Sequence, residues 1–399
     1  MAIRFDLNTS DLCAGSSRRG WVHNGGMARL LIVTPYGTVT GGAEQWLLGI
    51  LRTGALEQAG WVTDSIVMQS GPMVDALRGE LVTAIALPIP ASPACIISRI
   101  PALRRAILSR APDVVVANGV KAQLAVSLAL ACTGVPTVWV KHDHSHDSSL
   151  GRLLGRTATV VVSTALEVGL PTGRDDLIVI EPARPPEPLP ADVARGRLQD
   201  LGWEPTRRLT LAMITRLVPY KGVDLAIEAL SDPRAGQWEL LVIGGDDPAT
   251  PDETDRLREL ARSAGVTDRV FFAGAIPGGG NLLSAVDALG VLTRPGQEGA
   301  PTKEGYGIVA SEAMMAAVPV VVAQPGPISR RIDTSDGPAG ITLAAPAPQH
   351  LAAALDRLSV DELRQNMGVN GRHVALSLPT QSDIARQFVD VIELATGLP

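Results

Sequence analysis

Two glutamates frame the segment Glu304-Gly305-Tyr306-Gly307-Ile308-Val309-Ala310-Ser311-Glu312-Ala313-Met314, with seven residues between them. Gly305 and Gly307 allow the backbone to come close to a ligand, since neither carries a Cβ. The apolar run from Ile308 opens a helix whose first amides lack intrahelical partners and point at whatever lies in front. Such a helix start attracts phosphate. The spacing sets Glu304 ahead of the helix and Glu312 about one turn inside it. One carboxylate can then meet a sugar and the other a ribose hydroxyl pair, with diphosphate between them. On spacing alone such a pair reads equally as a solvated helix face; the two glycines and the apolar helix shift the reading toward a site.

A second segment, Thr215-Arg216-Leu217-Val218-Pro219-Tyr220-Lys221-Gly222, follows a strand-like run Leu209–Met213 and precedes a helix from Val223. A strand end, a proline-bearing loop and a helix start place Arg216 and Lys221 at a crevice mouth. Two cations there can neutralise a diphosphate and stabilise the charge of a departing group. Taken singly, they are ordinary surface cations.

Other stretches carry weaker chemistry. Gly41-Gly42-Ala43-Glu44 follows the first strand-like run but lacks the G-x-G-x-x-G spacing of a dinucleotide loop. Lys141-His142-Asp143-His144-Ser145-His146-Asp147 has histidines at alternate positions, which on an extended segment share one side and invite a metal reading. Asn118-Gly119-Val120-Lys121 closes another strand-like run. Gly244-Gly245-Asp246-Asp247 reads as a glycine turn, not a metal-binding D-x-D. Arg99, Arg104, Arg105 and Arg110 flank the apolar stripe Ile100, Leu103, Ile107 and Leu108. That pattern suits a surface helix with solvated arginines; peripheral membrane contact is the less favoured reading.

The elements that must hold these residues are strands and helices in alternation. Arg29–Thr34, Asp113–Ala117, Thr137–Val140 and Thr159–Val162 are short runs apolar on both faces, and a helix is expected from about Ala43 to Leu56. A proline-rich stretch, Glu181 to Pro205, breaks the pattern, which then restarts at Leu209–Met213, Glu239–Gly244, Arg269–Phe272 and Pro319–Val322. The chain of 399 residues is long enough for two α/β units. Its expected division is a disordered leader 1–26, an N-terminal acceptor-side domain 27–182, a linker 183–206, a C-terminal nucleotide-sugar domain 207–379 and a C-terminal helix 380–399, free to pack back on the N-terminal domain. Ligands in such sheets bind at the carboxyl ends of the strands.

Composition sets outer bounds. Aromatic residues are 3% against 46% hydrophobic, which suits Ala/Leu helices on parallel strands. The net charge of −6 disfavours nucleic acid as a partner. Cys13, Cys95 and Cys132 stand apart, as reduced thiols in a cytoplasmic protein do. No apolar run has the length of a membrane span, and the leader lacks a secretory apolar region.

Together the glutamate and Arg/Lys segments resemble glycosyltransferase family 4, whose signatures are G-R-L-x-x-x-K-G and E-G-F/Y-G-x-x-x-x-E-A-M. Arg216, Lys221 and Gly222 match the first; Glu304, Gly305, Gly307, Glu312, Ala313 and Met314 match the second. The resemblance implies a GT-B fold, two Rossmann-like doubly wound domains facing each other across a cleft. It also implies a retaining, metal-independent transfer from a nucleoside-diphosphate sugar, a UDP- or GDP-sugar, to a hydroxyl acceptor, with no cofactor. Arg216, Lys221, Gly305, Tyr306, Gly307 and Gly42 would then face the diphosphate, Glu304 the transferred sugar and Glu312 the ribose. Gly41 and Gly42 would form the family's glycine loop beside the acceptor, and His142, with His144 as the fallback, would be the histidine near the sugar. The sequence departs from the family at Ile178–Arg184, where N-G-V-D is usual, and at Thr293–Lys303, which replaces a short P-S and adds Glu298 as a rival carboxylate. Within the same architecture an epimerase or hydrolase of sugar nucleotides stays open, as does a non-enzymatic two-domain sugar-binding protein.

Overall fold

The computed structural model describes residues 27–39, 41–147, 149–204, 206, 208–247, 250–294 and 304–397. The leader 1–26 and most of the 293–303 loop, Glu298 included, lie outside the described residues.

The chain forms two parallel sheets. The first joins β1 (Ala28–Thr34), β2 (Trp61–Val67), β3 (Thr83–Ala86), β4 (Val114–Asn118), β5 (Thr137–Lys141), β6 (Val160–Ser163) and β7 (Ile178–Val179) in the order β3-β2-β1-β4-β5-β6-β7. The second joins β8 (Leu209–Ile214), β9 (Trp238–Ile243), β10 (Val270–Gly274), β11 (Ala288–Val291), β12 (Val320–Val322) and β15 (Gly340–Thr342) as β10-β9-β8-β11-β12-β15. A small hairpin of β13 (Asp333–Thr334) and β14 (Gly337–Pro338) precedes the last strand.

Apolar runs on both faces explain the doubly wound layers. Along β1, Leu30 and Ile32 enter one core while Leu31 and Val33 enter the core on the opposite face. Along β8, Leu211 and Met213 face one core and Ala212 the other. In each sheet the order reverses beside the first strand, between β1 and β4 and between β8 and β11, which opens a crevice at the strand ends.

Several expectations are revised. The helix expected from Ala43 to Leu56 is two helices, Gly42–Arg52 and Ala55–Gln58, separated at Gly54, whose φ is +68°. The proline-rich stretch is not a bare linker: Ala191–Asp200 is helical, and its Ala194 and Leu198 join Trp203 in a core of the second domain. Only two apolar residues one turn apart carry that helix inward, too few to stand out among its charges. The four arginines do not make one basic face. Arg104 donates to the carbonyls of Ala129 (2.7 Å) and Ala131 (3.2 Å), and Arg110 to that of Ala106 (2.6 Å), so two of the four serve the fold. Among the described residues no helix is long and apolar enough to cross a membrane.

The last helix, Gln381–Thr396, returns to the first domain. Ile384, Ala385, Phe388, Val391 and Ile392 are buried with Trp46, Leu47 and Ile50. Phe388 meets the Trp46 ring edge-on at 5.4 Å. Both domains are therefore tied by two chain crossings, and their strand ends face one another.

Candidate functional site

The site is built from the loops at the carboxyl ends of β1, β5, β8 and β11. Beyond β11, Thr293 leads into the segment that Glu304 closes. Gly307, with φ +76°, caps the helix Ile308–Met315; that left-handed conformation is open to glycine and strained for other residues. The helix then carries Glu312 back over the 3-10 helix Gly279–Ala285.

Glu304 and Lys221, far apart in sequence, are joined: Lys221 Nζ donates to Glu304 Oε2 at 2.6 Å, and Thr293 Oγ1 donates to the same oxygen at 2.9 Å. Burial alone would raise the Glu304 carboxyl. The Lys221 charge and hydrogen bond, the Thr293 hydroxyl and the charge of Arg331 outweigh it, and the net shift is downward. Glu304 is thus an anion held at the cleft. Gly222 must be small because a Cβ there would lie 2.3 Å from the Leu292 carbonyl oxygen, so the Lys221 loop packs directly on the end of β11.

Arg216 sits differently. Its side chain is 66% exposed, with Nη1 donating to Asp247 Oδ2 at 2.5 Å and Nη2 to Tyr220 Oη at 3.4 Å. The Gly244–Gly245 turn lies beneath: Leu217 N donates to the Gly245 carbonyl at 2.9 Å. Asp246 instead caps the helix Glu253–Ser263 through Thr254. The two aspartates read from sequence as one turn therefore have separate tasks.

The first domain closes against this segment. A Cβ at Gly305 would stand 2.4 Å from the His142 carbonyl oxygen, and one at Gly42 would stand 3.1 Å from Ile308 Cδ1. Tyr306 is buried with Ala165 and Val168 of the first domain. Arg331 stacks 3.7 Å from the Tyr306 ring centroid and donates to its carbonyl at 2.5 Å. Arg330 pairs with Glu167 across the domains. The sequence reading missed Arg331 and named Thr293 only as the start of the 293–303 loop; Arg331 stands in no conspicuous spacing, and only the fold brings it to the glutamate segment.

The histidine run is not an extended ladder. β5 ends at Lys141, and a turn follows, in which His146 has φ +55°. Asp147 folds back to pair with Lys141 Nζ at 2.5 Å and with His144 Nδ1 at 2.9 Å. Lys141 also donates to the Asp143 carbonyl. Because the turn curls instead of extending, the three histidines do not converge, and among the described residues no group of His, Cys, Asp and Glu is placed to hold a metal ion. His144 belongs to this network. His142 lies next to Gly305, with Nε2 2.6 Å from Asn118 Oδ1 and its ring edge-on to Trp46 at 5.3 Å. Burial pushes the His142 imidazole down to about 4, so it is neutral near pH 7. Since Asn118 presents an oxygen, Nε2 carries the ring proton and Nδ1 is left as the acceptor.

Glu44, noted in sequence only as the end of a glycine turn, is 3% exposed, and its Oε1 has no hydrogen-bond partner among the described residues. Burial raises its carboxyl, Asp143 adds to this, and Arg216 opposes it from across the cleft. Tyr36 is raised by burial and then by Asp143 and Glu44. The first domain thus presents an acidic wall, and the second a wall of paired cations and carboxylates.

Residues 202–374 match the family described as glycosyl transferases group 1. A D-inositol 3-phosphate glycosyltransferase of Acidothermus cellulolyticus is 30% identical over 184 residues, 45% of this chain and 39% of that protein. A GDP-mannose-dependent alpha-(1-6)-phosphatidylinositol monomannoside mannosyltransferase of Mycolicibacterium smegmatis is 31% identical over 194 residues, 46% of this chain and 47% of that protein. The chain spans about half the length of the curated relatives it matches. Among solved structures, Anabaena HepE in complex with UDP and glucose superposes with TM-score 0.73 at 19% identity, over 92% of this chain and 100% of that one. Sucrose-phosphate synthase from Thermosynechococcus elongatus gives TM-score 0.73 at 18% identity, over 93% and 100%. The fold is GT-B.

Proposed function

We propose that this protein transfers a sugar from a nucleoside-diphosphate sugar to a hydroxyl acceptor, with retention and without a metal ion. The match of its second domain to the glycosyl transferases group 1 and the GT-B fold of the chain support this reading. The observation that carries the reading is the junction of Lys221, Thr293 and Glu304, set against the His142 carbonyl through Gly305.

In this reading Arg216 and Lys221 take the diphosphate, joined by the amides that open the helix at Ile308. Positive charge on the leaving group lowers the barrier to breaking the anomeric C–O bond, which is the service a divalent ion would otherwise give. Glu304 lies against the sugar, within reach of its hydroxyls, and Glu312 takes the ribose. The anomeric carbon loses its bond to the diphosphate oxygen and gains one to the acceptor oxygen, whose proton is released. His142, neutral and fixed by Asn118, lines the sugar pocket. Tyr36, Glu44 and Asp143 face the acceptor. Relatives named for GDP-mannose and structures named for complexes with UDP support a nucleotide-sugar donor of either base.

The test is a panel of UDP- and GDP-sugars incubated with the purified protein, with nucleotide release followed with and without added hydroxyl acceptors. Release that rises with an acceptor and yields a product of the donor's anomeric configuration is expected. Binding without turnover for every donor would refute the transferase reading. Turnover is also expected to survive EDTA; a loss restored by a divalent cation would end the metal-independent reading.

A further inference from the structure

Three consecutive glycines, Gly278, Gly279 and Gly280, lead from β10 into the short helix Gly279–Ala285, and each lacks a side chain for its own reason. Gly278 has φ +69°, a left-handed conformation. At Gly279 a Cβ would stand 3.1 Å from Ile243 Cγ2, a tight contact with the sheet. Gly280 is not among the positive-φ glycines, so its backbone suits alanine. A Cβ at 280 would instead lie 2.2 Å from Glu312 Oε2, 2.3 Å from Glu312 Cδ and 2.6 Å from Glu312 Oε1.

All three collisions are with one carboxyl group. The Glu312 carboxyl therefore fills the volume that any side chain at 280 would need, and lies against the main chain there. The backbone on that side is fixed, because Leu189 N donates to the Asn281 carbonyl at 3.0 Å and Ser284 Oγ donates to the Leu189 carbonyl at 2.5 Å. The helix bearing Glu312 is buried on the other side through Ala310, Ala313 and Met314. A carboxylate packed against a rigid main chain loses rotational freedom before the ligand arrives. Recognition of two adjacent hydroxyls by one carboxylate depends on that orientation.

We propose that Gly280 is a positioning residue of the donor site: the space left by its missing side chain holds the Glu312 carboxyl in place, and this slot sets the preference for a ribonucleotide over its 2′-deoxy analogue. The proposal rests on the assignment of Glu312 to the ribose made above.

The experiment measures binding of UDP, dUDP, GDP and dGDP by calorimetry to the full chain and to the variants Gly280→Ala, Glu312→Ala and the double variant. The wild type is expected to favour the ribose form by about tenfold, the worth of one hydrogen bond to a charged group. Gly280→Ala should reduce that preference to within about twofold, chiefly by weakening the ribose form, with binding of the 2′-deoxy form little changed. In the Glu312→Ala background, alanine at 280 should add no further loss, because the colliding group is gone. Full preference retained in Gly280→Ala, or equal further loss in the double variant, overturns the slot. Should Gly280→Ala fail to fold, a folded double variant supports the collision with Glu312, and an unfolded one overturns it. A different failure marks the reading beneath: if Glu312→Ala keeps the wild-type preference, Glu312 is not the ribose ligand, whatever Gly280 does.

Discussion

The two walls of the cleft solve opposite problems. On the second domain four charged groups are matched to one another, Lys221 with Glu304 and Arg216 with Asp247, although Arg331 Nε is buried there without a partner among the described residues. On the first domain, Glu44 is buried with an oxygen that has no partner among the described residues, while the cation nearest the histidine turn, Lys141, is locked away under Asp147. A wall whose charges are paired is ready for a charged ligand that exchanges with those partners, as a diphosphate would. A wall with an unsatisfied buried acceptor is ready for a donor of hydrogen bonds, as a hydroxyl group is. On the proposed function, the difference teaches that the donor side is prepared chiefly by ion pairing and the acceptor side by the open valence of Glu44.

That contrast can be broken by substitution. The largest effect is expected at Asp147→Ala, which strips Lys141, 0% exposed, of its counter-ion. A loss of about 3 kcal/mol in chemical denaturation is expected; a loss below about 1 kcal/mol would show that the turn does not need the pair. Next come Lys221→Ala and Glu304→Ala, each expected to lower kcat about a hundredfold and, because each leaves its largely buried partner unpaired, to lower the thermal midpoint as well. Near-wild-type turnover in both would place the chemistry elsewhere. Glu44→Gln should be smaller and should fall on the acceptor side: kcat/KM for transfer about tenfold lower, through a higher acceptor KM, with nucleotide affinity moving less. An equal loss in nucleotide affinity would merge the two walls into one.

The smallest effect concerns pH. The His142 imidazole is held at about 4 in the folded protein against an ordinary value of 6.5. A depressed histidine means that the unfolded chain takes up the proton first, so stability is full above pH 6.5 and falls as the pH drops toward 4. Between pH 7.5 and 5.5 about 1 kcal/mol should disappear in denaturant titrations, and His142→Asn should remove that part of the slope. An unchanged slope in the variant would show that His142 is not the buried neutral ring described here.

How much of this was legible follows from how each part is made. Glu304, Gly305, Gly307 and Glu312 occupy one continuous loop and helix start, so their spacing is their geometry, and the sequence displays it directly. Arg216 and Lys221 share a loop for the same reason. The alternation of short apolar runs with helical ones likewise prescribed two parallel sheets, because a strand buried on both faces has no polar side to show. The helix within 183–206 was hidden, since its inward face rests on Ala194 and Leu198 and depends on Trp203 beyond it.

What only the tertiary structure decided are relations between distant segments. The sequence left His142 and His144 open as alternatives; the turn after β5 gives His144 to Asp147 and leaves His142 beside Gly305. Arg331 reaches Tyr306, and Glu44 loses its solvent, through packing that no local pattern records. Gly280 looks like one of three glycines in a turn until the helix from Ile308 lays Glu312 across it. Local spacing fixes which groups a loop carries, because bond geometry links them. Burial, partnership and exclusion depend on which other surface arrives, and that is determined by the assembled core.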